Sequence, residues 1–272
     1  MTKRIIEFLR RSWQKSPHVI LRWLFSKVLA ELHQPIIKWQ ARTLSNEKFL
    51  KLLGAIDFNT LWSELGDSNF PLFIKQISIV DYNINCPGDH TRIINLAENA
   101  IKHKVNLLGS GLVHLGDKIP WNKDFKNGYS WPRRKSRRIQ IIDFSKKNDI
   151  KVPWELSRLQ WLIPVGQAYI LTGEERYAFA VRKIIEDWIK ANPLGLGVNW
   201  ACTMEVALRS LTLIWLFKVF HKSPSWKDNK FRSNYLKQVY LHGSFIRHNL
   251  EWSDVNGNHL TANAMGLVVI GL

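Results

Sequence analysis

Cysteine is nearly absent from this 272-residue chain: Cys86 and Cys202 are the only two. That excludes a disulfide scaffold, and no cysteine pair stands at metal-ligand spacing. The 15 glycines and 10 prolines are scattered without a period, which excludes collagen-like and low-complexity architectures. Long apolar runs are also lacking. The most apolar internal stretch, 211–220, is about half a membrane span and contains Lys218. At the N-terminus, Lys3, Arg4, Glu7, Arg10 and Arg11 interrupt the apolar residues, so no signal-peptide core is readable there. As written, the chain is expected to remain cytoplasmic, with no membrane span. Acidic residues are scarce too: 22 against 39 Lys and Arg.

What is present is an ordinary globular fraction of apolar residues, 46%, enough for one large domain or two small ones. The charge imbalance gives a formal +17 and a pI near 10.0. Such a chain concentrates polyanions around itself: nucleic acid, anionic lipid or acidic polysaccharide. Thirteen tryptophans add broad apolar faces that can stack on bases or on sugar rings, or simply fill a core.

The chain changes character near its middle. Residues 4–29 read as a basic amphipathic helix kinked at Pro17. Short helices are expected at 46–54 and 91–104, the second capped by Asp89-His90-Thr91, and strands at 73–82 and 107–115. Residues 116–131 form a long aromatic loop, and loops of this kind are functional or packed over something. The densest basic run follows: Arg133, Arg134, Lys135, Arg137 and Arg138. Beyond it the pattern is helical, at 154–171, 174–191, 202–221, 229–252 and 258 to the end. Short connections imply helical hairpins, in either a solenoid or a closed α/α toroid. The last helix is apolar without a polar tail, so the chain is expected to stop short of a complete array.

Several residues are candidates for chemistry. Asn258 and His259 follow Asn256-Gly257, a turn signal, and open the final helix. They suit either a site or helix capping by Asn258 with a partly buried His259. Glu155 and Arg158 are three apart, and Glu205 and Arg209 four apart. Both pairs have the orientation of intrahelical ion pairs, while either arginine could instead hold a sugar carboxylate bidentately. Trp154, Asn199 and Trp200 flank them at helix entrances, where a sugar could stack. Trp161, Trp188 and Trp215 sit on apolar helix faces and read as core. His242 and His248 do not share a helix face and no HExxH occurs, so no metal is expected.

A set of segments in order carries a resemblance: Trp-Asn-Lys-Asp at 121–124 with Tyr-Ser-Trp-Pro at 129–132, and Pro-Trp-Glu-Leu-Ser-Arg-Leu-Gln at 153–160. Ala-Tyr-Ile-Leu-Thr-Gly-Glu-Glu-Arg-Tyr-Ala at 168–178 and Asp-Trp-Ile-Lys-Ala-Asn-Pro at 187–193 continue it. Gly-Val-Asn-Trp-Ala-Cys-Thr-Met-Glu-Val-Ala-Leu-Arg at 197–209 and Asn-Gly-Asn-His-Leu at 256–260 complete it. Across 116–272 the chain resembles the heparinase II/III-like polysaccharide lyases, in the α-helical domain that precedes their β-sandwich. The resemblance implies a mainly α fold, an incomplete (α/α) toroid at 116–272 after a variable, mixed region at 1–115. It implies β-elimination on an acidic, uronate-containing polysaccharide, with no cofactor. Asn258 would neutralise the uronate carboxylate and His259 would be its neighbour, a residue that serves as base in some members. Where the family often has glycine after that histidine, this chain has Leu260. The family's tyrosine acid/base and second histidine would lie past Leu272, which implies weak or absent activity for this chain alone. The family is usually exported to the periplasm or beyond. A non-catalytic acidic-glycan binder, a nucleic-acid binder using 133–151 and the N-terminal helix, and a glycoside hydrolase stay as alternatives; the oligomeric state is not readable.

Overall fold

The computed structural model describes residues 42–68, 85–141, 143, 145–252 and 257–272, with Tyr82 and scattered positions between 20 and 39. The basic helix expected over 4–29 and the strand over 73–82 lie almost entirely outside the described residues, as does Asn256.

Nine α-helices account for most of the described residues. Helix α1 (Asn46–Leu53) starts where Ser45 accepts the Lys48 amide and stops at Gly54, whose φ of 66° ends it in a left-handed cap. Helix α2 (Phe58–Asp67), not foreseen in the sequence, is capped by Asp57, which accepts the Asn59 and Thr60 amides. Helix α3 (Asp89–Ile101) begins two residues earlier than expected. Gly88 is its cap residue, and Asp89 instead engages Tyr82 and Arg92.

The strand expected over 107–115 is a correction: β1 (Lys104–Val105) pairs antiparallel with β2 (Val113–His114), the one strand within that stretch, with Lys104 opposite His114. Gly109 and Gly111 between them take φ values of 68° and 67°, which a continuous strand does not allow.

The helix expected over 154–171 is two. Helix α4 (Lys151–Ser157) ends at Arg158, Leu159 takes a φ of 62°, and α5 (Ile163–Thr172) begins with Pro164 in its first turn. Proline cannot continue a helix from behind but is at home in its first turn. Helices α6 (Glu175–Ala191), α7 (Thr203–Phe220), α8 (Asn229–His248) and α9 (Asn258–Gly271) follow the expected pattern to within a few residues.

Consecutive helices pack on one another, α5 on α6, α7 on α8 and α8 on α9, while α7 and α9 make the most extensive helix–helix contact. Helix α7 is apolar on nearly all sides and is buried accordingly. The α7–α9 crossing is close because of Gly266: a Cβ there would lie 2.8 Å from the Ala207 Cβ. The opposite face of α9, at Met265, Val268 and Leu272, is exposed.

One hydrophobic cluster joins residues on both sides of position 115, from Phe49 to Ile246. Its centre is aromatic. The Trp62 ring meets Phe217, Trp226, Phe231 and Tyr235 at centroid distances of 4.7 to 6.5 Å. Both buried indoles keep a partner, Trp62 on the His221 carbonyl and Trp226 on that of Ala178. Among the described residues, Trp121, Trp131, Trp188 and Trp200 are buried as well, so these six tryptophans are structural. Among the described residues, no helix is long and apolar enough to cross a membrane.

Candidate active site

The start of α7, the end of α4, the segment after α8 and the start of α9 converge. Helix α7 has no side-chain cap of its own at Cys202. Glu251, from the segment after α8, supplies one: its Oε2 accepts the Met204 amide at 2.7 Å, a carboxylate at the positive end of the helix. Asn263 of α9, fully buried, accepts the Glu251 amide at 2.9 Å and donates to Glu251 Oε2 at 3.3 Å. Thr203 ties the same corner to the Asn249 carbonyl at 2.7 Å.

The other Glu251 oxygen faces His259. Oε1 lies 3.2 Å from His259 Nδ1 and 3.5 Å from Cys202 Sγ, and Nδ1 and Sγ are 3.9 Å apart. A carboxylate on Nδ1 favours the tautomer with Nε2 unprotonated. Burial first, then the charge of Glu251, pushes the Cys202 thiol up, so it stays protonated at neutral pH. His259 is 46% exposed at its side chain and Glu251 27%, so a ligand in solution reaches this corner.

Asn258 does not cap α9. Gly257 is the cap residue, and among the described residues no side chain bonds the first amides. The exposed Asn258 amide rests 4.0 Å from the Met204 sulfur. It stands at the amino end of a 14-residue helix, where backbone amides and dipole favour an anion.

Arg158, beside this corner, is committed to carboxylates. It holds Glu205 bidentately, Nε to Oε2 at 2.7 Å and Nη2 to Oε1 at 2.9 Å, and Nη1 meets Glu155 at 2.6 Å. The expected Glu155–Arg158 pair is present. The expected Glu205–Arg209 pair is not, because Glu205 turns to Arg158. Arg158 is thus already paired with two carboxylates of the protein.

Arg209 is fully buried. Its guanidinium lies 4.3 Å from the Trp188 ring and 5.2 Å from Trp200, donates through Nε to His242 Nε2 at 2.9 Å, and reaches the Asn199 carbonyl at 3.2 Å. Burial pulls it down to about 9, still charged at neutral pH. Burial, and then Arg209, holds His242 well below the usual histidine range, so it is neutral, with Nδ1 donating to the Gln238 carbonyl.

Asn199 and Trp200 belong to the same buried hub. Asn199 donates to the Trp121 carbonyl and to Asn192, Trp200 donates to the Asn192 carbonyl, and Trp121 donates to Asp187 at 2.7 Å. These bonds lash the 116–131 loop to α6 and α7. Glu205, Arg209, Asn199 and Trp200, all expected at a glycan, are buried and stand behind the surface of the corner. Trp154 is partly buried, its indole on the Val198 carbonyl.

The structure thus brings Asn258 and His259 together with Cys202, Met204, Glu251 and Asn263, which sequence reasoning did not join to them. No spacing rule links Glu251 or Cys202 to His259; the α7–α9 crossing does. The basic run is divided in use. Arg133 caps the α6 carboxyl end at Lys190 and Ala191, and Arg137 holds Asn249, whereas Arg134, Lys135 and Arg138 are exposed. A cleft of about 530 Å³ between α1, α2 and α8, lined by Asn46, Asp57, Asn59 and Asn229 among others, contains none of the site residues.

A family model described as the heparinase II/III N-terminus matches residues 76–272. A heparin-sulfate lyase of Bacteroides stercoris is 30% identical over 147 residues, covering 46% of this chain and 21% of that protein. Among solved structures, the heparan sulfate lyase HepC of Pedobacter heparinus superposes with a TM-score of 0.52 at 22% identity, over 77% of this chain and 29% of that one. A heparinase III superposes with a TM-score of 0.56 at 23% identity, over 82% and 34%. The chain spans about a third or less of the length of these relatives. At that identity the structures show the fold, a mainly α arrangement of helical hairpins forming part of an (α/α) toroid. The extent of the family match, 76–272, shows that the chain belongs to the heparinase II/III family, through its N-terminal helical part.

Proposed function

We propose that this chain forms the helical side of a polysaccharide lyase site acting on an acidic, uronate-containing glycan by β-elimination. One observation carries the reading: an exposed, non-capping Asn258 at the amino end of α9, next to a histidine held by a carboxylate. β-Elimination takes the C5 proton, forms a C4–C5 double bond and expels the 4-linked oxygen. The proton is hard to remove because charge builds next to the uronate carboxylate. A neutral amide donor and a helix amino terminus lower that charge without themselves ionising. His259, with Nδ1 on Glu251, offers Nε2 as the base.

The relatives' names, heparin-sulfate and heparan sulfate lyases, support a glycosaminoglycan as substrate. So do the +17 charge and the exposed Arg134, Lys135 and Arg138. The leaving oxygen also needs an acid. All six tyrosines are engaged away from this corner: Tyr82 with Asp89, Tyr129 with Lys146, Tyr169 with Glu175, Tyr177 with Glu98, Tyr235 with the Leu213 carbonyl and Tyr240 on the Phe49 ring. We therefore expect these 272 residues alone to bind glycan but to form little unsaturated product. Calorimetry with heparan sulfate, run beside an ultraviolet assay for the unsaturated uronate, tests this. Saturable binding weakened by Asn258→Ala is the expected result; binding indifferent to that substitution contradicts it.

A further inference from the structure

We infer that Cys202, Glu251 and His259 form a binding site for a zinc-class divalent cation. Among the described residues, these three bring one thiol, one carboxylate and one imidazole to within 4.8 Å of one another. They come from three segments: the residue before α7, the segment after α8 and the first turn of α9.

The ligand triangle has the dimensions of one face of a coordination tetrahedron. With Zn–S of about 2.3 Å and Zn–N and Zn–O of about 2.0–2.1 Å, a tetrahedron has S–N and S–O edges of about 3.5 Å and an N–O edge of about 3.3 Å. The observed distances are 3.9 Å for S–N, 3.5 Å for S–O and 3.2 Å for N–O. Only the sulfur–imidazole edge must close, by a few tenths of an ångström, and His259 is exposed enough to move.

The surroundings orient the ligands as well. Glu251 Oε2 is pinned by the Met204 amide and by the buried Asn263, leaving Oε1 aimed at the triangle. Such outer contacts fix a ligating carboxylate. A thiolate with one imidazole and one carboxylate suits zinc, cobalt or a similar borderline cation, and suits calcium or magnesium poorly. On binding, the Cys202 thiol releases its proton to solvent. Three protein ligands leave a fourth position open on the exposed side, the arrangement of a site that keeps a water or takes a ligand atom.

A cation on His259 Nδ1 forces the remaining ring proton onto Nε2 and removes that nitrogen as a base. Occupancy would then oppose elimination, a consequence that rests on the lyase reading, whereas the binding itself does not.

The test is titration of the metal-free full chain with Co²⁺, without glycan, following the visible bands and the near-ultraviolet thiolate-to-cobalt band. We expect saturation at one equivalent, displacement by Zn²⁺, and at least tenfold weaker binding in both Cys202→Ser and His259→Ala. His259 is exposed, so its substitution leaves the core intact if Cys202→Ser fails to fold. Absence of a saturable tetrahedral spectrum overturns the inference. So does binding by His259→Ala equal to the parent, or a thiolate band that survives in Cys202→Ser. Because no glycan is present, failure here is distinct from failure of the lyase reading.

Discussion

Glu251 does two things at once: it accepts the Met204 amide at the head of α7 and it faces His259 Nδ1 at 3.2 Å. The corner that holds His259 and the α7 cap are therefore one piece of structure, so a substitution at Glu251 acts on both.

Glu251→Ala should cost about 1.5–3 kcal/mol of stability, the range for a hydrogen bond to a charged group. Glu251→Gln, which keeps an acceptor, should cost roughly half of that. His259→Ala, at an exposed position, should fall within about 0.5 kcal/mol of the parent. Urea unfolding of the three variants checks the order, and a large loss in His259→Ala would mean that the imidazole is structural.

The Arg158–Glu205 pair is asymmetric, with Glu205 only 2% exposed and Arg158 23%. Removing the arginine alone leaves a buried carboxylate without its bidentate partner, on the order of 3 kcal/mol for a fully buried pair and less here because Arg158 is partly wet. Arg158→Met should destabilise strongly, and adding Glu205→Leu should recover part of the loss. Additive losses in the double variant would show that the two residues are not coupled.

Acid should loosen the buried hub. His242 is held neutral, with a folded pKa well below its unfolded value of 6.5. The unfolded chain therefore binds a proton that the folded one refuses, and stability is lost as pH falls below about 6.5, by up to about 1.4 kcal/mol per pH unit for one proton. His242→Gln should flatten that slope between pH 6.5 and 5. Unfolding curves across this range decide it; an unchanged slope would assign the acid sensitivity to other groups.

The α7–α9 crossing depends on having no side chain at 266. Gly266→Ala would place a methyl 2.8 Å from the Ala207 Cβ and 3.1 Å from its Cα. The expected loss is about 1–3 kcal/mol, despite alanine's better helix propensity. Ala207→Gly in the same chain should relieve it. A Gly266→Ala variant with parental stability would mean that the helices separate freely.

Much of this was legible in sequence where local signals agree with tertiary packing. Helices α6 to α9 follow their apolar character and terminal signals, and Trp188 reads as core and is core. Pro164 and the pair Gly109 and Gly111 also carry local meaning: they separate α4 from α5 and β1 from β2, against an apolar pattern that runs across both breaks. Asn258 and His259 could be singled out by the turn before them and by the family resemblance. Their partners could not. Glu205 looks toward Arg209 in sequence and turns to Arg158 in the fold. Cys202, Glu251 and His259 meet only because two helices that are not consecutive cross at a glycine. Sequence spacing reports neighbours on one helix; it does not report which helix ends face each other.

The central claim is that Asn258 neutralises a uronate carboxylate. Its most direct test is a binding cycle by calorimetry: the parent and Asn258→Ala, each with a heparan-type oligosaccharide and with the same oligosaccharide after its carboxylates are reduced to alcohols. A hydrogen bond to a charged group is worth about 1.5–3 kcal/mol, so the parent should lose at least about tenfold in affinity on carboxyl reduction, while Asn258→Ala should bind both sugars alike. An equal loss on carboxyl reduction in both proteins would contradict the claim and leave Asn258 without a role at the carboxylate.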